Sequence, residues 1–296
     1  MELRQLEYFQ AVSRLGSITK AADRLHVAQP SVTVAIQKLE RELGVTLFDR
    51  SQKNLVLTLE GQAFRQRVDD ILGRLDDTVL EMNDFRLLQR GSLKIGVPSM
   101  IGAFLFPYIF AGFHKIHPQV ELNVAEEGTM AIREHLEQGQ LDVGVIITSN
   151  IGYPLEVTPL ATTSLVVCLP PGHYLTHRAA VPFGDLRDES FILLKEDTFS
   201  RQLILEECAH SGFSPRVAFS SSQIETILGL VEEGVGVSFL LAPIAAKHAT
   251  VVSRPLADPL TIQAGLAWNA ERYLSNAARA FIAFVKEFPA DRTLRG

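Results

Sequence analysis

Apolar residues recur at helical spacing in three short segments at the start of the chain, which predicts three packed helices. Their apolar positions are, in order, Leu3, Leu6, Phe9 and Val12; Ala21, Ala22 and Leu25; and Val32, Ile36, Leu39 and Leu43. Ser17 is placed to cap the second helix, and Pro30 falls in the first turn of the third, where a missing N–H costs nothing. The pattern breaks at residues 26–28, so we expect a tight turn between the second and third helices.

The outer face of the third helix is short and polar, and its residues are Gln29, Ser31, Thr33, Gln37 and Lys38. Two small helices joined by a tight turn, the second with a hydrogen-bonding outer face, are typical of a helix-turn-helix. The alternative is an ordinary surface pair of helices. The adjacent Ala21 and Ala22 favour the first interpretation because they let two helices approach closely, and the outer face lacks the Glu/Lys pairs of a merely solvated helix.

A small hairpin is predicted next, because the apolar residues 45–48 and 55–57 flank the polar, turn-like residues 50–54. This is the outline of a winged helix with Arg50, Ser51 and Lys53 on the wing. Cations on such a wing lie against phosphates or in the minor groove. The alternative for Arg50 and Lys53 is a solvated hairpin.

A long helix follows, with Thr58 as its cap and no proline before Pro98. Its apolar seam steps by four, three, four, four and three residues through Phe64, Val68, Ile71, Leu75, Val79 and Met82. A helix of about 30 residues is roughly 45 Å long. The N-terminal segment is too small to bury the whole seam, so we expect homodimerisation through this helix rather than packing on the same chain.

Short apolar strands alternate with helices from Gly91 onwards, where the long helix is expected to end. The predicted strands are 93–97, 120–124, 141–147, 165–169, 191–194, 216–219, 235–240 and 264–268. Helices are expected from Ile101, Gly128, Ser200 and Ser222, with a closing helix over 274–288. This rhythm predicts a mostly parallel sheet covered by helices, in two α/β subdomains whose cleft binds a small molecule.

Composition and charge are those of an ordinary soluble protein: of 296 residues, 47% are hydrophobic and 21% charged. No apolar run reaches membrane length and no leader is recognisable, so we expect a cytoplasmic protein without membrane contact. The net charge is −6, yet residues 1–65 carry nine Lys and Arg against seven Asp and Glu. This small basic surplus suits DNA binding with few phosphate contacts per subunit, doubled by dimerisation.

Enzyme motifs are missing from the sequence, which contains no HExxH, no phosphate-loop lysine motif and no GxSxG. Gly234 and Gly236 are followed by Phe239 where a dinucleotide site needs a third glycine. Cys168 and Cys208 form no metal-ligand spacing and are expected to be buried thiols. We therefore expect no enzyme, no cofactor and no metal. A plain small-molecule binding protein is a further alternative, which the helix-turn-helix and the absent export signal oppose.

These motifs together resemble LysR-type transcriptional regulators over nearly the whole chain. The residues that carry the resemblance are Leu6, Phe9, Ser17, Ile18, Thr19, Ala21, Ala22, Leu25, Gln29–Thr33, Ile36, Leu39, Glu40, Leu43, Gly44, Leu47, Phe48, Arg50, Leu57, Thr58 and Gly61. Segments 93–98, 141–144 and 234–237 match by pattern in the second half. One departure is the polar wing tip at 51–54, where many relatives carry more arginine.

The resemblance implies an α/β fold class with three parts. These are a winged helix-turn-helix DNA-binding domain (1–58), a linker and dimerisation helix (59–90) and a two-subdomain regulatory domain similar to periplasmic binding proteins (91–296). Subdomain I would be 92–162 plus 268–296, and subdomain II 163–267. Such regulators bind promoter DNA as dimers or tetramers, respond to a small-molecule effector, and have RNA polymerase as a further candidate partner.

The candidate DNA-binding residues lie in the helix-turn-helix and wing, and are Ser17, Thr19, Gln29, Pro30, Ser31, Thr33, Val34, Lys38, Arg50 and Lys53. Gln29 can make a bidentate contact to adenine, and Pro30 and Val34 can touch a thymine methyl. Ser31, Lys38, Arg50 and Lys53 are candidates for phosphate contacts.

The candidate effector-binding residues are Ser99, Met100, Thr129, Thr148, Phe199, Arg201 and Gln223. Ser99 and Thr129 each follow a strand and open a helix, where hydroxyl and N–H groups favour an anion, so we expect a carboxylate. The alternative is that both are ordinary helix caps. Thr148, Phe199, Arg201 and Gln223 would face them from the hinge and second subdomain; Arg201 either pairs a second acidic group or is a solvated helix residue.

Overall fold

The computed structural model describes residues 1–49, 55–86, 91–147, 152 and 154–288. The chain divides into two compact units, Met1–Asn83 and Asp84–Gly296. Among the described residues, no helix is both long enough and apolar enough to cross a membrane.

The first unit consists of helices and one short hairpin. Its elements are α1 (Leu3–Leu15), α2 (Ile18–Arg24), α3 (Gln29–Leu43), β1 (Phe48–Asp49), β2 (Val56–Leu57) and α4 (Leu59–Arg86). The predicted caps are confirmed, since Ser17 accepts a hydrogen bond from the Lys20 N–H and Pro30 lies in the first turn of α3. Thr58 Oγ1 accepts from the Gly61 N–H at 2.9 Å, as expected for the start of α4.

The core of this unit is formed by the inward faces of all four helices and the hairpin. The Phe9 ring is central, with centroids 5.3 Å from Phe48 and 5.0 Å from Phe64. β1 and β2 pair antiparallel, with Phe48 opposite Leu57. Residues 50–54 between them, with the wing candidates Arg50 and Lys53, lie outside the described residues.

The apolar seam of α4 is divided into two halves. Phe64 and Val68 pack into the core of the first unit, together with Leu72. The second half is exposed, with exposed fractions of 43% for Ile71, 41% for Leu75, 55% for Val79 and 51% for Met82. The first unit therefore covers the start of the seam and leaves the rest uncovered.

A buried carboxylate fixes α4 to α1. Asp69, only 4% exposed, accepts hydrogen bonds from Gln10 Nε2 at 2.5 Å and from Arg14 at 3.0 Å, and lies 3.6 Å from Arg65 Nε. Because a buried charge is tolerated only when it is paired, this cluster holds the two helices in one register.

The second unit alternates strands and helices. Its elements are β3 (Gly91–Val97), α5 (Ser99–Phe104), α6 (Phe106–Ile116), β4 (Val120–Glu126), α7 (Thr129–Glu137), β5 (Val143–Ile147), β6 (Leu155–Leu169), β7 (Ser190–Leu194), α8 (Phe199–His210), β8 (Arg216–Ser221), α9 (Ile224–Glu232), β9 (Ser238–Leu241), α10 (Ala242–Ala245), β10 (Val252–Pro255), β11 (Thr261–Asn269) and α11 (Asn276–Glu287).

The prediction of a mostly parallel sheet is wrong for the described strands as a whole. β4, β3 and β5 are parallel, as are β7 and β8. However, the main sheet has the order β10-β6-β11-β5-β3-β4 with β9 also on β6, and every pair that includes β6 or β11 is antiparallel. These two long strands run together through both α/β subdomains, with Leu155 opposite Asn269 and Thr261 opposite Ser164.

Three further expectations need correction. The predicted helix from Ile101 is two helices, broken at Leu105 because Pro107 belongs to the first turn of α6. Gly91 does not end the linker helix; it begins β3, where an added Cβ would lie 2.8 Å from Ala277 Cβ. The first half of β6 went unpredicted because its burial alternates irregularly, with a register shift opposite Ala264 and Gly265.

Candidate functional sites

The outer face of α3 is exposed on the first unit. Val32, Ile36 and Leu39 point into the core, whereas Gln29, Pro30, Ser31 and Lys38 are exposed. Val34 is 61% exposed, an unusual position for a branched apolar side chain on a small unit. The first turn of α3 therefore presents mixed polar and apolar groups to solvent, as a helix that reads a DNA groove requires.

The turn before α3 is closed by a left-handed residue. His26 has a φ of 54°, a conformation in which glycine is usual. Its N–H donates to Asp23 O at 3.2 Å and the Val27 N–H donates to Ala22 O at 3.0 Å, which is the Schellman arrangement at the end of α2. This strained turn sets the angle at which α3 leaves α2.

The Gln29 side chain is held in place by Thr33, one helical turn later. Gln29 Nε2 donates to Thr33 Oγ1 at 3.0 Å, and Thr33 Oγ1 donates to the Gln29 carbonyl at 3.2 Å. One amide N–H is therefore used within the helix, while the side chain stays exposed at its start. An oriented amide loses less side-chain entropy when it contacts a base.

Lys38, a predicted phosphate contact, is paired in this structure. Its Nζ lies 3.1 Å from Glu2 Oε1, and this contact lowers the pKa of the Glu2 carboxyl below its usual value. Thr19 is exposed on α2, and Ser17 is half-buried as its cap.

Glu40 has a role that the sequence did not reveal. Its Oε1 accepts hydrogen bonds from the Leu47 and Phe48 N–H groups at 2.9 and 3.2 Å. The carboxylate thereby ties the end of α3 to the base of the wing. Periodicity marks Glu40 only as a polar position, so no local signal identifies its distant backbone partners.

A cavity of about 40 Å³ lies between the two subdomains of the second unit. Subdomain I contributes residues 98–101, 127–129 and Ile147, and the second subdomain contributes Leu194 and residues 198–200. Leu241 and Ile262 complete the lining at the crossing strands. Most of these side chains are apolar, and polar groups are confined to a few positions.

The first turns of α5, α7 and α8 all line this cavity. Helix N-termini carry unpaired N–H groups and a partial positive charge, so a negatively charged ligand is favoured where they meet. Thr129 is 9% exposed and Ser200 is 3% exposed, so both residues are almost fully buried at the first turns of α7 and α8.

The predicted effector residues are distributed as follows. Ser99, Met100, Thr129 and Phe199 line the cavity, whereas Arg201 and Gln223 do not, and Thr148 lies outside the described residues.

Arg201 is buried instead of solvated, and its guanidinium serves its own subdomain. Its NH1 donates to Leu194 O at 3.0 Å and to Ser220 Oγ at 2.7 Å, and its NH2 lies 3.6 Å from Glu196. Gln223 is exposed and accepts from Thr226 Oγ1 at 3.0 Å. Arg201 lies in the first turn of α8 and Gln223 is the N-cap residue of α9, but neither side chain contributes to the described cavity lining.

Three polar lining residues were missed in the sequence: Glu127, Thr198 and Ser200. Thr198 is the N-cap residue of α8, which a cap search could have found. Glu127 precedes α7, and its Oε2 lies 2.7 Å from His135 Nδ1, an ion pair when His135 is protonated.

The two subdomains touch closely beside the cavity. A Cβ added to Gly128 would lie 2.3 Å from the Asp197 carbonyl oxygen. Real side chains do not approach a backbone oxygen so closely, so only glycine permits this contact. Gly128 therefore lets the subdomains close over the lining residues.

Other reactive groups are buried and inactive. Burial raises the pKa of the Cys168 and Cys208 thiols to about 12, so both stay protonated at neutral pH. Within the described residues, no cluster of three or more His, Cys, Asp or Glu could hold a metal ion.

Comparison with known proteins connects both sites to one family. Residues 3–62 match the family model "Bacterial regulatory helix-turn-helix protein, lysR family", and residues 86–290 match "LysR substrate binding domain". The chain is 33% identical to the uncharacterized HTH-type transcriptional regulator YcgK of Bacillus subtilis, over 97% of this chain and 94% of that protein.

Solved structures of similar fold span both units. A full-length OxyR variant from Pseudomonas aeruginosa is 28% identical, with a TM-score of 0.65 over 99% of this chain and 97% of its own. Full-length CbnR in complex with its target DNA has a TM-score of 0.65 at 23% identity, over 97% of this chain and 99% of its own, and shows the shared fold.

Proposed function

Since the chain belongs to the LysR family of bacterial transcriptional regulators, we propose that it binds promoter DNA as a dimer or tetramer and responds to a small carboxylate. DNA binding and effector binding belong to the two family domains. The oligomer and the chemical class of the effector are our proposals. A promoter-bound regulator acts in the cytoplasm on RNA polymerase, so the polymerase is the natural further partner.

The exposed first turn of α3 carries the DNA-binding part of the proposal. Gln29, which Thr33 orients, would read adenine, and Pro30 and Val34 would make apolar contact with a thymine methyl. Phosphate contacts would come from Ser17, Thr19, Ser31 and Lys38. To contact a phosphate of the DNA, Lys38 would give up its ion pair with Glu2. Arg50 and Lys53 would contact phosphates from the wing.

The uncovered half of the α4 seam supports dimerisation. Ile71, Leu75, Val79 and Met82 lie on one side of the helix, and each is at least 41% exposed in a single chain. A second copy of α4 would remove these side chains from water, which favours association by about 25 cal/mol for each Å² buried. Two copies of α3 would then bind two half-sites of one duplex.

The convergence of helix first turns supports a carboxylate effector. Ser99 and Thr129 from subdomain I meet Phe199 and Ser200 from the second subdomain at one cavity. A ligand held by both sides favours the closed arrangement over an open one, and this difference in affinity is what couples binding to a change in shape.

Selection from a pool of random duplexes tests the proposal, since the operator sequence need not be known in advance. We expect the full-length protein to enrich two related half-sites arranged with two-fold symmetry, and a carboxylate to alter its affinity for them. Enrichment of no sequence, or turnover of the carboxylates supplied, would contradict it. A binding protein without DNA function would bind ligand and leave the pool unchanged.

A further inference from the structure

We propose that the cavity is built for a short acid with one carboxylate and an apolar body, and that it rejects dicarboxylates. This inference rests on the proposed function of the cavity as the effector site. It adds the number of charges on the ligand and the nature of the rest of the molecule. Two features of the lining determine both properties: where its polar groups lie, and how little positive charge it offers.

Two hydroxyls on nearly buried residues mark the position of the carboxylate. Thr129 and Ser200 line the cavity and are more than nine-tenths buried. Among the described residues, neither hydroxyl has a hydrogen-bond partner, and the caps of α7 and α8 do not use them. Because the described part of the protein does not use either hydroxyl, both are available to donate a hydrogen bond to a ligand in the cavity.

The helices that carry them supply about one unit of positive charge. α7 has 9 residues and α8 has 12, so each is long enough for its N-terminus to act as roughly +0.5 of an elementary charge. Thr129 is the first residue of α7 and Ser200 lies in the first turn of α8. Two such ends balance one carboxylate, and they leave a second carboxylate uncompensated because α5, with only 6 residues, is too short to add a comparable charge.

No side chain in the described part of the lining adds a cation. The described lining residues include no Lys, Arg or His, and the one ionisable residue among them is Glu127. Arg201 follows the lining residue Ser200 in sequence, but its guanidinium donates hydrogen bonds to Leu194 O and Ser220 Oγ. Glu127 Oε2 lies 2.7 Å from His135 Nδ1, and a carboxylate in the lining offers no attraction to a second negative charge on the ligand.

The rest of the cavity fits an apolar body of small size. Its walls include Ile101, Ile147, Leu194, Leu241 and Ile262. The volume of about 40 Å³ corresponds to roughly three water molecules. A short aliphatic chain is therefore favoured, and a polar or branched sugar would leave its hydroxyls unpaired.

The experiment uses four probes that share a four-carbon chain: butyrate, succinate, butyramide and butylamine. Melting temperature and isothermal titration are measured on the full-length protein with each. Butyrate alone is expected to bind and to raise the melting temperature. Succinate binding as well as butyrate, butyramide binding as well as butyrate, or no binding of any probe would each overturn the inference.

Two variants and a matched control locate the site. Thr129→Val and Ser200→Ala are each expected to weaken butyrate about tenfold, since a hydrogen bond to a charged group is lost. Thr226→Val, a threonine whose hydroxyl pairs with Gln223, should leave butyrate affinity unchanged. Equal affinities in all three variants would place the ligand elsewhere and overturn the inference.

Glu127→Gln tests the charge argument. Removal of this carboxylate should narrow the ratio of butyrate to succinate affinity, and an unchanged ratio would contradict its role in discrimination. The same preparations are tested on the selected duplexes. Intact DNA selectivity with failed butyrate binding overturns only this inference, whereas lost DNA selectivity in the unmodified protein overturns the proposed function itself.

Discussion

The α3 face and the cavity between the subdomains present polar groups to a ligand in opposite ways. On α3, Gln29 is exposed and hydrogen-bonded to Thr33, so its amide is oriented but remains in contact with water. In the cavity, Thr129 and Ser200 are buried among apolar walls. Exposed groups gain little free energy per contact, whereas buried groups gain more from a single partner.

This contrast explains why the α3 face would need a second copy of the chain, whereas the cavity would need only one small molecule. One α3 has few contacts and a small basic surplus, so it needs a second copy to reach useful affinity. The cavity concentrates its contacts on a few atoms, so one small molecule suffices.

Val79→Glu should remove the contribution of the second copy. A carboxylate in the exposed half of the seam would separate the α4 helices, and affinity for the selected duplex should fall roughly 100-fold as bivalent binding is lost. Sedimentation equilibrium and duplex titration measure both effects. Gln66→Glu, 13 residues earlier and therefore on the opposite side of the helix, adds the same charge and should change neither.

Gln29→Ala should remove sequence reading while leaving general affinity intact. A bidentate contact to adenine is worth about 1–3 kcal/mol of discrimination, so preference for the selected duplex over a single-base variant should drop about tenfold. Competition titrations measure this preference. Lys53→Ala is the contrasting change, expected to weaken all duplexes alike; equal losses on selected and random DNA for Gln29→Ala would refute its assignment.

Gly128→Ala should hold the two subdomains apart beside the cavity. The new methyl group meets the Asp197 carbonyl oxygen, and overpacking of this kind costs about 1–3 kcal/mol. Ligand affinity should therefore fall about tenfold, while DNA affinity without ligand is retained. Gly184→Ala is the control, because an added Cβ there meets nothing within 4 Å. Unchanged ligand affinity in Gly128→Ala would show that closure is not needed.

His26→Gly should have the smallest effect and the opposite sign. Glycine adopts the left-handed conformation of the turn without steric cost, so the first unit should gain about 0.5–1 kcal/mol of stability. Urea unfolding followed by far-UV circular dichroism measures the gain. His26→Ala, which keeps a Cβ at the same φ, should bring no gain; equal stabilisation by both would place the effect in the imidazole.

The sequence predicted the first unit better than the second, because the residues that fix the helix ends of the first unit act on neighbours in sequence. Ser17, Pro30 and Thr58 cap or open helices within a few residues of themselves, so spacing alone locates them. Glu40 shows the limit within that unit, since its partners at Leu47 and Phe48 follow from tertiary packing.

The cavity depends on contacts between residues far apart in sequence. Ser99 and Thr129 were found because each begins a helix after a strand, whereas Ser200 and Glu127 have no signal that separates them from ordinary polar positions. Arg201 was misjudged for the same reason: a cation at a helix start looks available until the fold brings Ser220 to it. Burial and partner choice follow from the topology of β6 and β11.

The pairing of β6 with β11 has a consequence for the order in which the second unit folds. β11 lies between β5 and β6 in the sheet, yet Leu155 and its partner Asn269 are more than 100 residues apart along the chain. During synthesis, the open edge of β5 must therefore wait for the second subdomain to be made. Closing so long a loop is slow, and we expect this exposed edge to be the point at which nascent chains aggregate or recruit chaperones.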